Sequence, residues 1–200
     1  MRILFTGFDA FGGEKINPAG EAVKMMKNEI HGAEIFKLEV PTVFGKSGEV
    51  LEKAVETIKP DAVVCVGQAG GRAAITPEMI AVNIMDARIP DNDGNKPCHE
   101  LIIKGGREAY FSSLPVKDIE KNLIGNGIPS AVSYHAGTFV CNYLMYSLLH
   151  LIDTRYPNMR GGFVHVPYST EQVQGKTISA PSMKLTEITR GLEIIAETLV

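Results

Sequence analysis

The sequence predicts an α/β protein, a single-domain three-layer α/β/α sandwich around a twisted sheet that is mostly parallel or mixed. Short β-rich runs alternate with longer segments of helical periodicity along nearly the whole chain, as they do in such sandwiches. The apolar run DAVVCV, residues 61–66, has the continuous hydrophobicity of a strand covered on both faces. The 200 residues fall within the size of one domain and contain no low-complexity linker, so residues 1–200 are predicted to form one domain.

The first third of the chain is predicted to hold three strands and two helices. RILFT is β-rich, and in the loop that follows, Asn17 can cap a helix whose first position is Pro18, where a missing N–H costs little. AEIFKLEV alternates in polarity like a strand, whereas KSGEVLEKAVETI places its apolar residues on one side of a helix. The predicted strands are 2–6, 33–40 and 61–66, and the second helix is 46–58.

The rest of the chain continues this alternation. MIAVNIM, PSAVSY and GGFVHVP are apolar or β-rich runs, and the stretch HAGTFVCNYLMYSLLH contains a long apolar helix. The predicted strands are 79–85, 129–134 and 162–166. The predicted helices are 116–124, the segment that ends near Asp153, and the segment from about Ser182 toward Val200.

Charge and composition exclude several classes of partner. With 20 basic and 23 acidic residues, the net charge of −3 gives no electrostatic footprint for nucleic acid or an anionic membrane. The longest apolar candidate, 138–152, contains Asn142, Ser147 and His150 and is shorter than the roughly 20 apolar residues of a membrane span. The amino terminus lacks the apolar region of a secretory signal. Three cysteines without close pairing indicate a reducing compartment, so a cytoplasmic location is predicted.

The loops at the carboxyl edge of the predicted sheet contain the residues with chemical potential. Ligands of open α/β sheets bind outside the carboxyl ends of the strands. If residues 129–166 form a right-handed strand, helix, strand unit, their two strands are parallel and end at the same edge. Cys141, near the start of the helix, and His165, near the end of the last strand, are then predicted to share one rim.

Cys141, His165 and Glu78 together have the residue types of a nucleophilic triad. A helix amino terminus favours a thiolate, so the pKa of Cys141 is predicted to fall from about 8.5 toward neutrality, and the free N–H groups there can stabilise an oxyanion. A nearby histidine can accept the thiol proton and return it to a leaving amine, while a carboxylate orients the histidine. Glu78, at the end of the glycine-rich loop, is the carboxylate available on that edge.

Each of these residues also has a structural interpretation. A cysteine in an apolar helix is usually core packing, His165 can be a core histidine bonded to a carbonyl, and Glu78 can be a solvated loop carboxylate. The glycine-rich stretches match neither GxxxxGK[ST] nor GxGxxG, which disfavours phosphate binding. Cys98, with its two polar neighbours in PCHE, lacks the paired spacing of a metal site, so no metal is predicted.

Four stretches taken together resemble one family, the pyroglutamyl peptidase I family of cysteine peptidases, also called pyrrolidone-carboxylate peptidases. They are GFDAFGGEKINP, GGRAAITPEMIAVNIMDARIPDN, SYHAGTFVCNYLMY and GGFVHVPY, and they occur in the order of the family over most of the chain. The resemblance implies an α/β/α enzyme that removes an amino-terminal pyroglutamyl residue from peptides without a metal or organic cofactor.

The resemblance also implies roles for individual residues. It makes Cys141 in FVCN the nucleophile, His165 in FVHVP the general base and Glu78 in ITPE the carboxylate, and it places Arg88 of ARIPDN near the oxyanion. A small neutral lactam requires an apolar slot with a few placed polar groups. The predicted substrate-binding residues are the aromatic residues Phe8, Phe11 and Phe139 and the polar residues Asn17 and Gln68.

One position departs from the family, and two other functions stay open. The family usually has a basic residue directly after the glutamate, where this chain has Met79, so the electrostatic surroundings of Glu78 are expected to differ from those in the family. Many members are homotetramers, so a homo-oligomer is predicted by resemblance. The alternatives are a nucleoside phosphorylase-like enzyme that uses the glycine-rich loops, and a catalytically silent protein that binds a lactam or a peptide terminus.

Overall fold

The structure of the protein, a computed structural model, describes residues 1–174 and 180–200. Helices and strands alternate along most of this part of the chain. The strands are β1 (Arg2–Phe8), β2 (Glu29–Ile30), β3 (Ala33–Val40), β4 (Ala62–Gln68), β5 (Thr76–Glu78), β6 (Ile80–Val82), β7 (Ala109–Phe111), β8 (Arg160–Val166), β9 (Tyr168–Ser169) and β10 (Ser182–Met183). The helices are α1 (Pro18–Met25), α2 (Lys46–Ile58), α3 (Val116–Gly125), α4 (Val140–Arg155), α5 (Thr170–Val173) and α6 (Leu185–Leu199).

A six-stranded sheet in the order β2-β3-β1-β4-β8-β5 forms the centre of the molecule. Strands β3, β1, β4 and β8 are parallel, whereas β2 and β5 run antiparallel to their neighbours at the two edges. The predicted class, an α/β fold with a mostly parallel, mixed sheet, is therefore confirmed. The predicted strand 33–40 and helix 46–58 have the bounds that the sequence pattern indicates.

Two apolar layers cover the sheet and complete the α/β/α arrangement. Helices α1, α3 and α6 pack on one face, and α2 and α4 pack on the other. Strand β4 contributes to both layers, with Val64 in the first and Val63 in the second, as a continuous apolar run predicts. Cys65 is fully buried in the layer of α2 and α4, where it is packing material.

Helix α1 begins where its sequence indicates. The Asn17 side-chain oxygen accepts a hydrogen bond from the backbone N–H of Ala19 at 3.1 Å, and Pro18 occupies the first helical position. The Asn17 side-chain amide also donates to the carbonyl of Asp9 at 2.9 Å. This pair of bonds ties the helix start to the loop after β1.

The predicted strand 79–85 is wrong in its extent. Only β6 forms, and it pairs antiparallel with β7 outside the central sheet. From Val82 onward, side chains rather than a partner strand form several of the hydrogen bonds to the backbone. The Asn142 amide bonds both backbone groups of Val82 and the carbonyl of Ile84. Asn83 exchanges two hydrogen bonds with the backbone of Ile103. The continuation of β6 is thereby held as a loop.

The predicted strand 129–134 is also wrong, because this segment makes only isolated parallel bridges to the region of β5. Ser130 bridges Ile75, and Ser133 bridges Glu78. The backbone bonds that flank these bridges are regular, but Pro77 lies between them and has no N–H to donate. A single proline therefore divides what would otherwise be a continuous ladder.

The predicted parallel arrangement of 129–134 and β8 is also wrong, because 129–134 pairs with β5 and not with β8. The segment runs parallel to β5, and β5 runs antiparallel to β8, so 129–134 and β8 have opposite directions. The chain enters α4 from the edge of the sheet through Gly137, whose φ of 79° lies in the left-handed region that favours glycine. Thr138 then exchanges two hydrogen bonds with the backbone of Asp86 before the helix begins.

The start of the final helix also differs from its prediction. The final helix begins at Leu185 rather than Ser182, because Ser182 and Met183 pair with β9 as a short parallel strand. Across residues 1–174 and 180–200, no helix has both the length and the apolar character needed to cross a membrane.

Candidate active site

Cys141 and His165 lie on the same face of the sheet, where β4 and β8 end. His165 is paired in register with Gly67 of β4 and with Thr76 of β5. Gly67 has no side chain, and a Cβ built there would lie only 3.0 Å from the Cys141 sulfur and 2.7 Å from the ring of Phe163. The Cys141 thiol therefore packs against the strand position that lies directly beside His165.

Glu78 is a fully buried carboxylate that binds both a histidine and an arginine. Its Oε1 lies 2.6 Å from His165 Nδ1 and 2.6 Å from Arg72 Nη1. Burial alone would raise the pKa of this carboxyl, but hydrogen bonds from His165, Ser133 and Arg72 outweigh burial and hold the pKa below its ordinary value. Glu78 is thus a carboxylate at neutral pH.

His165 is buried, and its surroundings keep the imidazole neutral. Burial lowers the pKa of His165 below its usual value, although the hydrogen bond and charge of Glu78 act in the opposite direction. With Glu78 ionised, the shared proton is assigned to Nδ1, which donates it to Oε1. The Nε2 atom then keeps its lone pair and has the state that a general base requires.

The Cys141 thiol has a raised pKa, contrary to the value that its helix position predicts. Burial raises the pKa of the Cys141 thiol to about 12, the charge of Glu78 raises it further, and the charge of Arg72 lowers it. The prediction of a thiol pKa near neutrality is therefore wrong, because desolvation outweighs the helix amino terminus. The free protein holds a neutral thiol beside a neutral imidazole.

The amino terminus of α4 remains open to an anion. Phe139 is the capping residue, and no side chain of the described residues caps the first turn by a hydrogen bond. The first turn also contains no acidic residue. The unpaired backbone N–H groups beside Cys141 therefore keep their partial positive charge, which suits the oxygen of a tetrahedral intermediate.

An aromatic cluster lies next to the nucleophile. The ring of Phe139 is 6.4 Å from that of Phe11 and 5.4 Å, edge to face, from that of Phe44. These three rings form an apolar wall that includes Phe139, two residues before Cys141. Phe8, which is predicted to bind substrate, is 2% exposed, and its ring lies 6.3 Å from that of Phe163 on the strand that carries His165.

The two polar residues predicted to bind substrate, Asn17 and Gln68, differ in how far their side-chain amides are already hydrogen-bonded. Both ends of the Asn17 amide are occupied by the helix cap and the carbonyl of Asp9, which gives this residue a structural role. Gln68 is half-buried at the end of β4, and its Oε1 accepts from Gln172 Nε2 at 3.0 Å. Because its oxygen is occupied, Gln68 offers its amide N–H groups to a ligand.

Arg88 lies in an exposed loop near the start of α4. The backbone of Asp86, two residues earlier, is bonded to Thr138, three residues before Cys141. The Arg88 side chain is exposed, and no hydrogen bond or ion pair joins it to any residue that the structure describes. Its predicted position near the oxyanion stays a prediction.

Two residues of the site were not predicted from the sequence. Arg72 lies in the glycine-rich loop, and its position six residues before Glu78 has no signature without the turn that brings it back. Phe44 was overlooked although it follows the carboxyl end of β3, which is a signal that could have identified it. Met79 packs in the apolar layer of α1 and α6, so Arg72, and not the residue after Glu78, is the cation at the carboxylate.

The fold brings a cysteine, a histidine and a carboxylate, the residue types of a thiol hydrolase, to one end of an α/β sheet. The chain belongs to the pyroglutamyl peptidase family, whose model matches residues 1–200. The resemblance that the four sequence stretches indicate is therefore confirmed.

Individual relatives agree with this family over nearly the full chain. A pyrrolidone-carboxylate peptidase of Streptococcus pneumoniae is 55% identical over 200 residues, which is all of this chain and 93% of that protein. The crystal structure of pyroglutamyl peptidase I from Bacillus amyloliquefaciens has a TM-score of 0.94 at 52% identity, covering 98% of this chain and 95% of that one. A mutant pyrrolidone carboxyl peptidase from Pyrococcus furiosus has a TM-score of 0.95 at 46% identity, covering 99% and 97% respectively.

Proposed function

We propose that this protein is a cysteine peptidase that removes an amino-terminal pyroglutamyl residue from peptides, with Cys141, His165 and Glu78 as its triad. The observation that carries the proposal is the packing of the Cys141 sulfur against Gly67, the strand partner of a neutral His165 whose Nδ1 is bonded to Glu78. A nucleophile, a base and an orienting carboxylate thereby meet at the carboxyl end of the sheet. Full-length membership of the family supports the choice of substrate.

The acylation step begins with a neutral thiol. His165 Nε2 accepts the thiol proton as the Cys141 sulfur bonds to the pyroglutamyl carbonyl carbon, since a thiol with a pKa of about 12 is not ionised beforehand. The backbone N–H groups at the start of α4 bind the resulting oxyanion. Glu78 stabilises the imidazolium, which then gives its proton to the leaving amine as the C–N bond breaks and a thioester remains.

Deacylation uses the same groups in reverse. His165, neutral again, accepts a proton from a water molecule that attacks the thioester carbonyl. The carbon–sulfur bond breaks, pyroglutamate leaves, and the proton returns to the Cys141 sulfur. No other group on the chain needs to change its protonation state in this cycle.

Selectivity for the lactam ring is assigned to the aromatic wall and one amide. Phe11, Phe44 and Phe139 suit a small apolar ring, and the N–H groups of Gln68 suit its carbonyl oxygen. We retain Phe8 as a support of this wall and Arg88 as a candidate near the oxyanion. A proline terminus has no ring carbonyl and bears a charge at neutral pH, so an apolar slot disfavours it.

A paired-substrate assay tests this function. The protein is incubated with a pyroglutamyl fluorogenic amide and with the matching prolyl amide, each with and without iodoacetamide. Release from the pyroglutamyl amide alone, abolished by alkylation, is the expected result. Equal release from both amides contradicts the specificity, phosphate-dependent turnover that survives alkylation indicates a phosphorylase, and saturable binding without product indicates a silent binding protein.

Three further properties are proposed with the function. Residues 1–200 act as one domain, and the free Cys65, Cys98 and Cys141, with Cys98 exposed, favour the reducing cytoplasm. Exposed apolar side chains such as Phe111 and Leu101 support a homo-oligomer, a tetramer by resemblance. Light scattering of the purified protein tests the assembly, and a monomer at micromolar concentration contradicts it.

A further inference from the structure

We infer that Arg72 is a positioning residue for the proposed reaction: its guanidinium holds the Glu78 carboxylate at the point where that carboxylate binds His165. The inference rests on the proposed function and adds a fourth member to the triad. Arg72 comes from the loop after β4, not from any of the elements that carry the triad itself.

The geometry ties Arg72 to the strand that carries Glu78. Arg72 Nη1 donates to Glu78 Oε1 at 2.6 Å and to Thr76 Oγ1 at 2.5 Å. Thr76 and Glu78 are two residues apart on β5, so their side chains share one face of the sheet. Thr76 is also the register partner of His165. One guanidinium thus spans both β5 side chains that face the imidazole.

The carboxylate needs a partner besides the histidine. Glu78 is fully buried, and its Oε2 has no hydrogen-bond partner among the residues that the structure describes. A buried carboxylate bonded only to a neutral imidazole and the Ser133 side chain would carry a large desolvation penalty, because neither partner neutralises its charge. The Arg72 side chain is 31% exposed, so it neutralises the buried charge while its own charge remains partly hydrated.

Arg72 also sets the protonation of the two reacting groups. The charged groups that act on His165 are Glu78, which raises its pKa, and Arg72, which lowers it. Those that act on Cys141 are Glu78 and Arg72, with Cys65 nearby, and Arg72 lowers the thiol pKa. Arg72 therefore favours the neutral base and opposes the effect of Glu78 on the nucleophile.

A pH profile separates this role from a structural one. In Arg72→Gln, His165 keeps its proton to higher pH, so the acid limb of kcat/KM for a pyroglutamyl fluorogenic amide is expected to move to higher pH. The plateau is expected to fall roughly tenfold to hundredfold, the usual loss for a hydrogen bond to a charged group. Arg72→Lys keeps the charge, so its acid limb is expected to stay at the wild-type position while its plateau falls less.

A double-mutant cycle with Glu78 identifies the group through which Arg72 acts. Arg72→Gln is expected to cost little additional activity when it is made in Glu78→Gln, because the carboxylate that Arg72 positions is already absent. Equal losses in both backgrounds overturn the inference, since Arg72 would then act on another group. If Arg72→Gln fails to fold by circular dichroism, Arg72→Met, which retains an apolar stem of similar reach, carries the same expectations.

Arg155→Gln is the matched control. Arg155 forms ion pairs with two surface glutamates, Glu52 and Glu56, at the far end of α4. It lies fourteen residues after Cys141 on the same helix, which corresponds to roughly 21 Å. Its pH profile and kcat/KM are expected to match the wild type.

Thiol alkylation tests the electrostatic link without turnover. The rate of iodoacetamide labelling of Cys141, relative to the exposed Cys98 in the same sample, is expected to fall in Arg72→Gln because the thiol pKa rises. A wild type without peptidase activity would contradict the proposed function, whereas the labelling ratio would still report the effect of Arg72. An active wild type with an unchanged acid limb, additive losses and an unchanged labelling ratio in Arg72→Gln overturns the inference alone.

Discussion

The parallel interior of the sheet and its antiparallel edge contribute differently to the site. Strands β4 and β8 pair over seven residues and are buried along nearly their whole length. Strand β5 pairs with β8 over only three residues, and Pro77 interrupts its bonding on the other side. The interior supplies an apolar frame for His165, whereas the edge supplies the buried charge of Glu78.

This difference explains why a buried carboxylate is tolerated at this place. The central side chains of an interior strand such as β4 are covered by the helices on the two faces of the sheet, so no loop reaches them. At the edge, the loop after β4 brings Arg72 to Glu78, and the segment after α3 brings Ser133 beside it. The interior strands therefore fix the position of His165, whereas the edge of the sheet determines how the charge of Glu78 is balanced.

Replacing Cys141 at the site and Cys65 in the core in turn is expected to give the largest contrast in activity. Cys141→Ala should lower kcat/KM on the order of a thousandfold or more, because the nucleophile is lost, and should leave the fold intact. Cys65→Ala, in the interior of β4, should retain activity and lose about 1 kcal/mol of unfolding free energy through the small cavity that it leaves. Amidase kinetics and urea unfolding measure both; ordinary activity in Cys141→Ala would remove it from the mechanism.

A methyl group added at Gly67, on the interior strand β4, is expected to give the next largest loss of activity. In Gly67→Ala, the new Cβ would meet both the Phe163 ring and the Cys141 sulfur, so the thiol must move. Because misplacement of a reacting atom by up to about 1 Å costs as much as a hundredfold in rate, kcat should fall by up to about that factor. Gly125→Ala, where nothing lies within 4 Å, is the matched control. Wild-type kinetics for Gly67→Ala would show that the contact is not needed.

Removing the charge of Glu78 at the edge of the sheet is expected to lower activity less than removing Cys141 does. Glu78→Gln keeps the shape of the side chain but removes the charge that stabilises the imidazolium, so kcat should fall roughly tenfold to hundredfold. Its acid limb should move to lower pH, since Glu78 raises the pKa of His165. Steady-state kinetics across pH measure both; activity equal to the wild type would exclude Glu78 from the triad.

Acid should weaken the fold through the same pair of residues. The folded-state pKa of Glu78 lies below its ordinary value of 4.5, so its stabilising contribution is present above that value and is lost as pH falls through the folded pKa. The folded-state pKa of His165 lies below 6.5, so the unfolded chain binds more protons below that pH and stability again falls with acidification. Urea midpoints should therefore decrease below about pH 6.5, and less steeply in His165→Gln; an identical slope in that variant would assign the loss to other groups.

The interior of the sheet could be predicted from the sequence, and its edge could not. Continuous apolar runs specify β4 and β8, and Asn17 followed by Pro18 specifies the start of α1. Strand β5 is three residues long with a central proline, which gives no periodicity to detect. The strand direction assigned to 129–134 failed because long-range pairing, not local pattern, decides it.

The sequence predicts which residues form the candidate site better than it predicts their pKa values. Cys141, His165 and Glu78 could be predicted because their residue types and a family resemblance agree. The raised pKa of the Cys141 thiol could not be predicted, since it depends on how far the folded chain removes the sulfur from water. Arg72 and Phe44 reach the site through loop geometry that only the folded chain defines.

The most direct test of the account follows which cysteine iodoacetamide modifies as activity is lost. Cys98 is exposed, Cys65 is buried in the core and Cys141 lies at the site, so peptide mapping by mass spectrometry distinguishes all three. The fraction of pyroglutamyl amidase activity that remains should equal the fraction of unmodified Cys141 at every time point, with Cys98 labelling having no effect. Full activity with Cys141 completely alkylated, or complete inactivation with Cys141 unmodified, would contradict its role as the nucleophile.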